Sequence, residues 1–244
     1  MNVRVNIGCG LFVGQDWINI DGSWNGWFAN HRRLAGLLSP IIGRGWKAWP
    51  AGVVHGDLSG GKLPLKDSSV DVLFSAHFLE HLTKEEGEVF VRECLRVLKP
   101  GARMRIVVPD LEGLARKYLR ALDAGGRRDL HAMGESPADE FVRQLCVCGP
   151  RRRWTRPADW YQVWHDYHRH FWMYDRQSLS VAVERAGFSE ISVDIPSDQS
   201  GIVGLEQVER AGATGEDGVG FSLEAVKPRG PAIQAHGLAM RAVR

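Results

Sequence analysis

Residues 3–23 read VRVNIGCGLFVGQDWINIDGS, and the way the chain passes from its first apolar run to its second decides what kind of sheet follows. Val3, Val5 and Ile7 alternate with polar residues before Gly8-Cys9-Gly10 breaks the run, which is how a strand enters a tight turn at its carboxyl end. Trp17, Ile18 and Ile20 form a second strand-like run with Asp21 at its end, where an ionised carboxylate can accept from both hydroxyls of a ribose. A dinucleotide-binding strand needs a helix directly after its glycines, because that helix's N-terminal amides hold the pyrophosphate, and the acidic residue then falls ~20 residues further on. Leu11 to Asp16 is too short for such a helix. The expected ligand carries a ribose and an adenine without a pyrophosphate, and S-adenosylmethionine is such a ligand.

The remainder of the chain bounds what can surround that stretch. Its 244 residues, 44% hydrophobic and 25% charged, suit one sizeable folded domain with an insertion. A net charge of +2 gives no general field for nucleic acid, although Arg151-Arg152-Arg153-Trp154-Thr155-Arg156 is locally basic. No apolar stretch approaches the ~20 residues of a membrane span, and the N-terminus lacks a signal-peptide layout. The expectation is a cytoplasmic protein with no membrane partner. Cys9, Cys94, Cys146 and Cys148 are too scattered for a disulfide framework or a four-thiolate zinc site.

Strand and helix patterns then alternate. A short helix is expected within 28–38, a third strand at Val53–His55 with Asp57 just past it, and a buried strand at Val70–Ser75 leading through a loop to a helix near Phe78. A helix over Glu85–Leu98 is stopped by Lys99-Pro100-Gly101, and RMRIVVPD is the next strand, ending at Asp110. From Leu111 to Tyr174 the pattern is helical but irregular. Regularity returns with Asp175 as N-cap, a helix over 178–186, Gly187 as C-cap, and the strands ISVDI and FSLEAVKP. The fold class is therefore α/β, a doubly wound and mostly parallel Rossmann-like sheet with an antiparallel C-terminal hairpin. Residues 1–110 and 175–229 form the core, 111–174 an inserted helical lid, and 230–244 a tail. Gly8 to Gly10, Asp21, Asp57, Ser75 to His77 and Asp110 all fall at the carboxyl ends of strands, where ligands of such sheets bind.

VNIGCG, NIDGS, GDL, LPLKDSSVDVLFSAHFLEHL, ECLRVLKPGARMRIVVPD and HFWMYDRQSLSVAVERAGF, with the closing hairpin, resemble in order and spacing the class I S-adenosylmethionine-dependent methyltransferases. The likeness is to the bacterial, type 11-like group with a shortened first crossover. It implies S-adenosylmethionine as cofactor, with Gly8, Cys9 and Gly10 against its methionine part and Asp21 on the ribose. It also implies Asp57 and Leu58 beside the adenine, and Ser75, Ala76 and His77 flanking the sulfonium. Two positions depart from the family pattern: Asn6 stands where an acidic residue is common, and Phe12 where the glycine run often continues.

A sulfonium methyl is already activated, so the protein must hold the acceptor in line, exclude water, and take a proton if the acceptor is a hydroxyl. His77, at the end of the central strand, and His165, with Asp166 beside it in HDYHRH, are the candidate bases. The His77-x-x-Glu80-His81 spacing could suit a divalent metal. The preferred reading of Glu80 and His81 is a cap tying the helix to nearby loops, with no metal. The expected acceptor is a small molecule, a sugar or secondary metabolite methylated on oxygen. The alternatives are an RNA-modifying enzyme, suggested by Arg151 to Arg156, and a non-catalytic partner subunit of the same fold. An NAD-dependent oxidoreductase is disfavoured by the short first crossover.

Overall fold

The computed structural model describes residues 2–42, 44–56, 58, 61–124, 136–147, 169–210 and 220–230. Within them, strands β1 (Arg4–Ile7), β2 (Ile18–Asp21), β3 (Val54–His55), β4 (Val70–Ala76), β5 (Leu98–Val108), β6 (Ser189–Val193) and β7 (Phe221–Val226) form one sheet. Its order is β3-β2-β1-β4-β5-β7-β6. β1 to β5 pair in parallel, and β7 runs antiparallel between β5 and β6. The order reverses between β1 and β4, so the crevice above their carboxyl ends is where such a sheet binds its ligand.

The helices are α1 (Trp24–Asn30), α2 (Arg32–Ile42), α3 (Lys84–Val97), α4 (Leu111–Ala124), α5 (Pro137–Gln144) and α6 (Arg176–Ala186). Thr83 and Glu86 cap α3 reciprocally, as Asp175 and Ser178 cap α6, and Gly187 ends α6 in the left-handed region at φ 107°. Phe90, Val91, Leu179 and Val183 from α3 and α6 bury one face of the sheet with Val5, Ile7, Ile20 and Leu73. Tyr118 and Phe141 stack at 5.0 Å to join α4 to α5. The two ends of the 111–174 segment meet in a bridge between Asp110 and Tyr174.

No helix lies between β1 and β2, as the short spacing requires. Two buried amides organise that connection instead. Asn6 Nδ2 donates to Phe12 O at 2.8 Å and to Asn19 Oδ1 at 3.2 Å, while Asn19 Nδ2 donates to the carbonyls of Gly14 and Trp17. The sheet face opposite α3 and α6 is covered from the far end of the chain. There Trp17, Phe74 and Val107 pack with Ile202, Leu205 and Val208, and Trp17 Nε1 donates to Gly204 O at 3.1 Å.

Three boundaries differ from expectation. The helix placed within 28–38 is two helices, broken at His31. Lys99-Pro100-Gly101 does not separate α3 from the next strand, because β5 begins at Leu98. Its register jumps from Val70↔Leu98 to Val72↔Arg103, a bulge that absorbs Pro100 and Gly101 at φ 82°. β6 and β7 are antiparallel as expected, but residues 194–220 separate them in sequence. The described residues of this connection include 3-10 turns at Ser197–Gln199 and Leu205–Gln207.

Candidate cofactor and acceptor site

β1 delivers Gly8 and Gly10 at φ 67° and 53°, a region in which a side chain is strained. Gly8 N and Cys9 N donate to Ile20 O, at 2.9 and 3.2 Å, folding the turn back over the end of β2. Gly10 N donates to Asp21 Oδ2 at 2.8 Å and Ser23 N to Asp21 Oδ1 at 2.7 Å. Each carboxylate oxygen thus keeps a free lone pair for a hydroxyl. Burial raises the pKa of Asp21, opposed by those two amide hydrogen bonds and by His55 and His81. Burial, aided by the Asp21 charge, also pushes the Cys9 thiol well up, so Cys9 lines the turn as a neutral group.

A Cβ on Gly8 would stand 2.6 Å from Phe78 Cβ, so the turn after β1 packs directly on the loop after β4. At Gly10 a Cβ would meet nothing within 4 Å. The space beside Asp21 is therefore open. At the end of β4, Ser75 is buried and its Oγ has no hydrogen-bond partner among the described residues. Ala76 and His77 are partly exposed, His77 at φ 50° with its N–H on Val107 O. Leu58 is buried in the main core below β3. Asp57, His165, Asp166 and Arg151 to Arg156 lie outside the described residues. A carboxylate with two free acceptor positions, an open glycine turn and an unpartnered hydroxyl fit a ribose joined to a methionine arm that carries no phosphate. With no helix N-terminus behind the glycines, they do not fit a pyrophosphate.

His77 Nδ1 is 3.4 Å from Glu80 Oε1, and His170 Nε2 is 4.0 Å from the same oxygen. Glu80 is only 1% exposed and its Oε2 has no partner among the described residues. Its carbonyl accepts from Phe171 N and Trp172 N, and His81 Nδ1 pairs with Arg169 O at 3.0 Å. The end of the inserted segment is thereby pinned to the turn Leu79–His81. Burial lowers the pKa of His170, partly offset by Glu80. Ligand atoms of Glu80, His81 and His170 lie within 4.8 Å of one another, a set that could hold a divalent cation. A ligating histidine ordinarily gives its other N–H to an acceptor, whereas His170 Nδ1 is buried with no hydrogen-bond partner among the described residues. The tie between segments accounts for more of these contacts than a metal does.

Asp110 does not face the crevice as a free carboxylate. It accepts from Gly113 N at 3.0 Å and pairs with Arg176 at 2.8 Å, which starts α4 and anchors α6. Three features of the site escape the sequence reading, which brings only His77, Glu80 and His81 together by their spacing: the Asn6–Asn19 pair that shapes the turn, the burial of Glu80, and its approach to His170. Only the asparagines left a signal, as polar residues at inward positions of two adjacent apolar strands.

Parts of the chain are similar to known proteins. Residues 43–106 match a family described as "Methyltransferase domain". A curated protein of Mycolicibacterium smegmatis, described as a probable S-adenosylmethionine-dependent methyltransferase, is 43% identical over 56 residues, spanning 23% of this chain and 20% of that protein. A SAM-dependent methyltransferase from Thermotoga maritima superposes with a TM-score of 0.46 at 18% identity, covering 93% of this chain and 83% of that one. One from Archaeoglobus fulgidus gives 0.46 at 14% identity, covering 93% and 86%. The chain spans about a fifth of the length of the curated relative it matches. Residues 43–106, which carry β3, β4 and most of β5, are thus similar to a methyltransferase domain, in a sheet of order β3-β2-β1-β4-β5-β7-β6.

Proposed function

We propose that the protein transfers the methyl group of S-adenosylmethionine to a hydroxyl of a small-molecule acceptor, a sugar or a secondary metabolite. The observation that carries this reading is His77: it stands at the carboxyl end of β4, partly exposed, with its Nδ1 3.4 Å from the buried Glu80 carboxylate. When bound, the cofactor supplies an electrophilic methyl on sulfur. Asp21 holds the ribose hydroxyls, Asp57 and Leu58 border the adenine, and Gly8 to Gly10 with Ser75 to His77 enclose the methionine arm. His77 takes the acceptor's proton, and Glu80 stabilises the imidazolium so formed and fixes the ring. The segment 111–174 closes over the crevice and excludes water, bringing His165 and Asp166 as a second candidate pair. The acceptor is free of nucleic acid, and the protein works in the cytoplasm.

Two measurements test this. Calorimetry should show binding of S-adenosylhomocysteine and none of NAD; the reverse result removes the cofactor assignment. Transfer from labelled S-adenosylmethionine should then be assayed on a panel of sugars, phenols and an RNA. On the acceptor found, His77→Ala should lower turnover by about 10²–10⁴-fold while leaving cofactor affinity unchanged. Unaltered turnover in both His77→Ala and His165→Ala would mean that the acceptor needs no base, which points to nitrogen or carbon in place of oxygen.

A further inference from the structure

The connection between β2 and β3 carries a surface that methyl transfer does not require. From Gly22 to Gly56 the chain contains no aspartate or glutamate and carries Arg32, Arg33, Arg44 and Lys47. All four cations are exposed. Helix α2 has two apolar stripes. Ala35, Leu38 and Ile42 turn inward and pack with Phe28 and Trp46. Leu34, Leu37 and Ile41, at the three- and four-residue spacing of one helix face, turn outward and are 41%, 80% and 57% exposed. A surface helix ordinarily presents charged residues on that side. Arg32 and Arg33 also occupy the first turn of α2, where the helix dipole disfavours cations. Neither feature serves the helix itself.

We propose that this face docks on the surface of an anionic phospholipid bilayer, with α2 lying in the plane of the headgroups. Leu34, Leu37 and Ile41 enter the acyl boundary, and the arginines beside them meet lipid phosphates. The helix has 11 residues, and no helix of the described residues is long and apolar enough to cross a membrane. The contact is therefore interfacial, and it revises the expectation of a chain with no membrane partner. Charge selects this occupant over a second copy of the chain. A two-fold contact of α2 would set Arg32 and Arg33 of one copy near those of the other, and the 22–56 connection has no acid to answer them. A nucleic-acid backbone would use the cations but leave three aliphatic side chains in water, since bases stack on aromatic rings. The face is close to the crevice in the chain, because α1 starts three residues after Asp21, and Trp24, 40% exposed, lies 5.0 Å from the His55 ring at the end of β3.

The test is co-sedimentation of the full chain with two kinds of vesicle, one of phosphatidylcholine and one of phosphatidylcholine mixed with phosphatidylglycerol. Binding should be confined to the anionic vesicles and should weaken as salt is raised. Removing one arginine by Arg33→Gln should weaken it about fivefold. The double variant Leu37→Glu/Ile41→Glu should lose it almost completely. Both altered residues are exposed, and circular dichroism with S-adenosylhomocysteine calorimetry would verify that the variant folds and keeps its cofactor site. Those controls also separate a failure of this proposal from a failure of the methyltransferase reading. Absence of binding to either vesicle, equal binding to both, or full binding by the double variant would overturn it. So would a dimer in ultracentrifugation that the double variant dissolves, or retention on RNA in preference to anionic vesicles.

Discussion

Asp21 shows how much one side chain does at the crevice. Its two oxygens already orient the Gly10 and Ser23 amides, at 2.8 and 2.7 Å, before any ligand arrives. Burial holds its pKa above that of a free aspartate. Protonation at the folded pKa removes the charge that strengthens hydrogen bonds from ribose hydroxyls, so cofactor affinity should fall as pH drops through that raised value, while a free aspartate would still be ionised. Asp21→Asn should weaken S-adenosylhomocysteine binding at neutral pH by about 1.5 to 3 kcal/mol, the worth of a charge-assisted hydrogen bond, and flatten the pH response. Calorimetry across a descending pH series checks both. The two glycines of the turn should separate in the same assay. Gly8→Ala adds a Cβ 2.6 Å from Phe78 to the strain of its left-handed φ and should lower the melting temperature more than Gly10→Ala, which carries the strain of its φ alone and should act mainly on cofactor affinity. Gly8, Gly10 and Asp21 were legible from sequence because local chain geometry alone puts them together. Glu80 was not: its approach to His170 joins positions separated by the whole inserted segment, and no local pattern reports it.

At the scale of elements, the inserted segment is attached twice at its far end. Asp110 bridges Tyr174, and Arg169, Phe171 and Trp172 are held by the turn that carries Glu80 and His81. The core closes its own backbone bonds without α4 and α5. Replacing residues 112–168 by a short linker should therefore preserve S-adenosylhomocysteine binding and abolish transfer; continued transfer would assign the acceptor to the 22–50 connection. The strands followed from alternating apolar residues and from glycine and aspartate punctuation, signals that act within a few residues, whereas their order in the sheet is set by pairing between distant segments. The bulge at the start of β5 did not follow from such signals. Lys-Pro-Gly stops a helix by local preference, yet here the tertiary register takes the proline and glycine into the strand.

For the molecule as a whole, the sheet face opposite α3 and α6 is stabilised by an unusual means. Arg105 is fully buried and donates to the Glu209 carboxylate at 2.6 and 2.7 Å, to Glu224 Oε1 at 2.9 Å, and to Ile195 O. In sequence it is one polar residue of an alternating strand and reads as solvent-facing; the two acids that neutralise it lie 104 and 119 residues away. Removing one partner from a buried ion network strands the remaining charge. Glu209→Ala should cost about 3 to 5 kcal/mol in urea unfolding. If the loss were under about 1 kcal/mol, the value of an exposed pair, water would have to reach Arg105 in the folded state.

The missing first crossover helix also sets an order of events in the cell. Trp17 and Phe74 are covered by Ile202, Leu205 and Val208, and the Trp17 to Gly204 hydrogen bond spans 187 residues. At ribosomal rates that interval is roughly 10 to 40 s. From the completion of β4 until residues 202–208 are made, which is most of this interval, the nascent β1–β4 unit carries an uncovered aromatic face, so the half-sheet that includes the glycine turn stays open on that side.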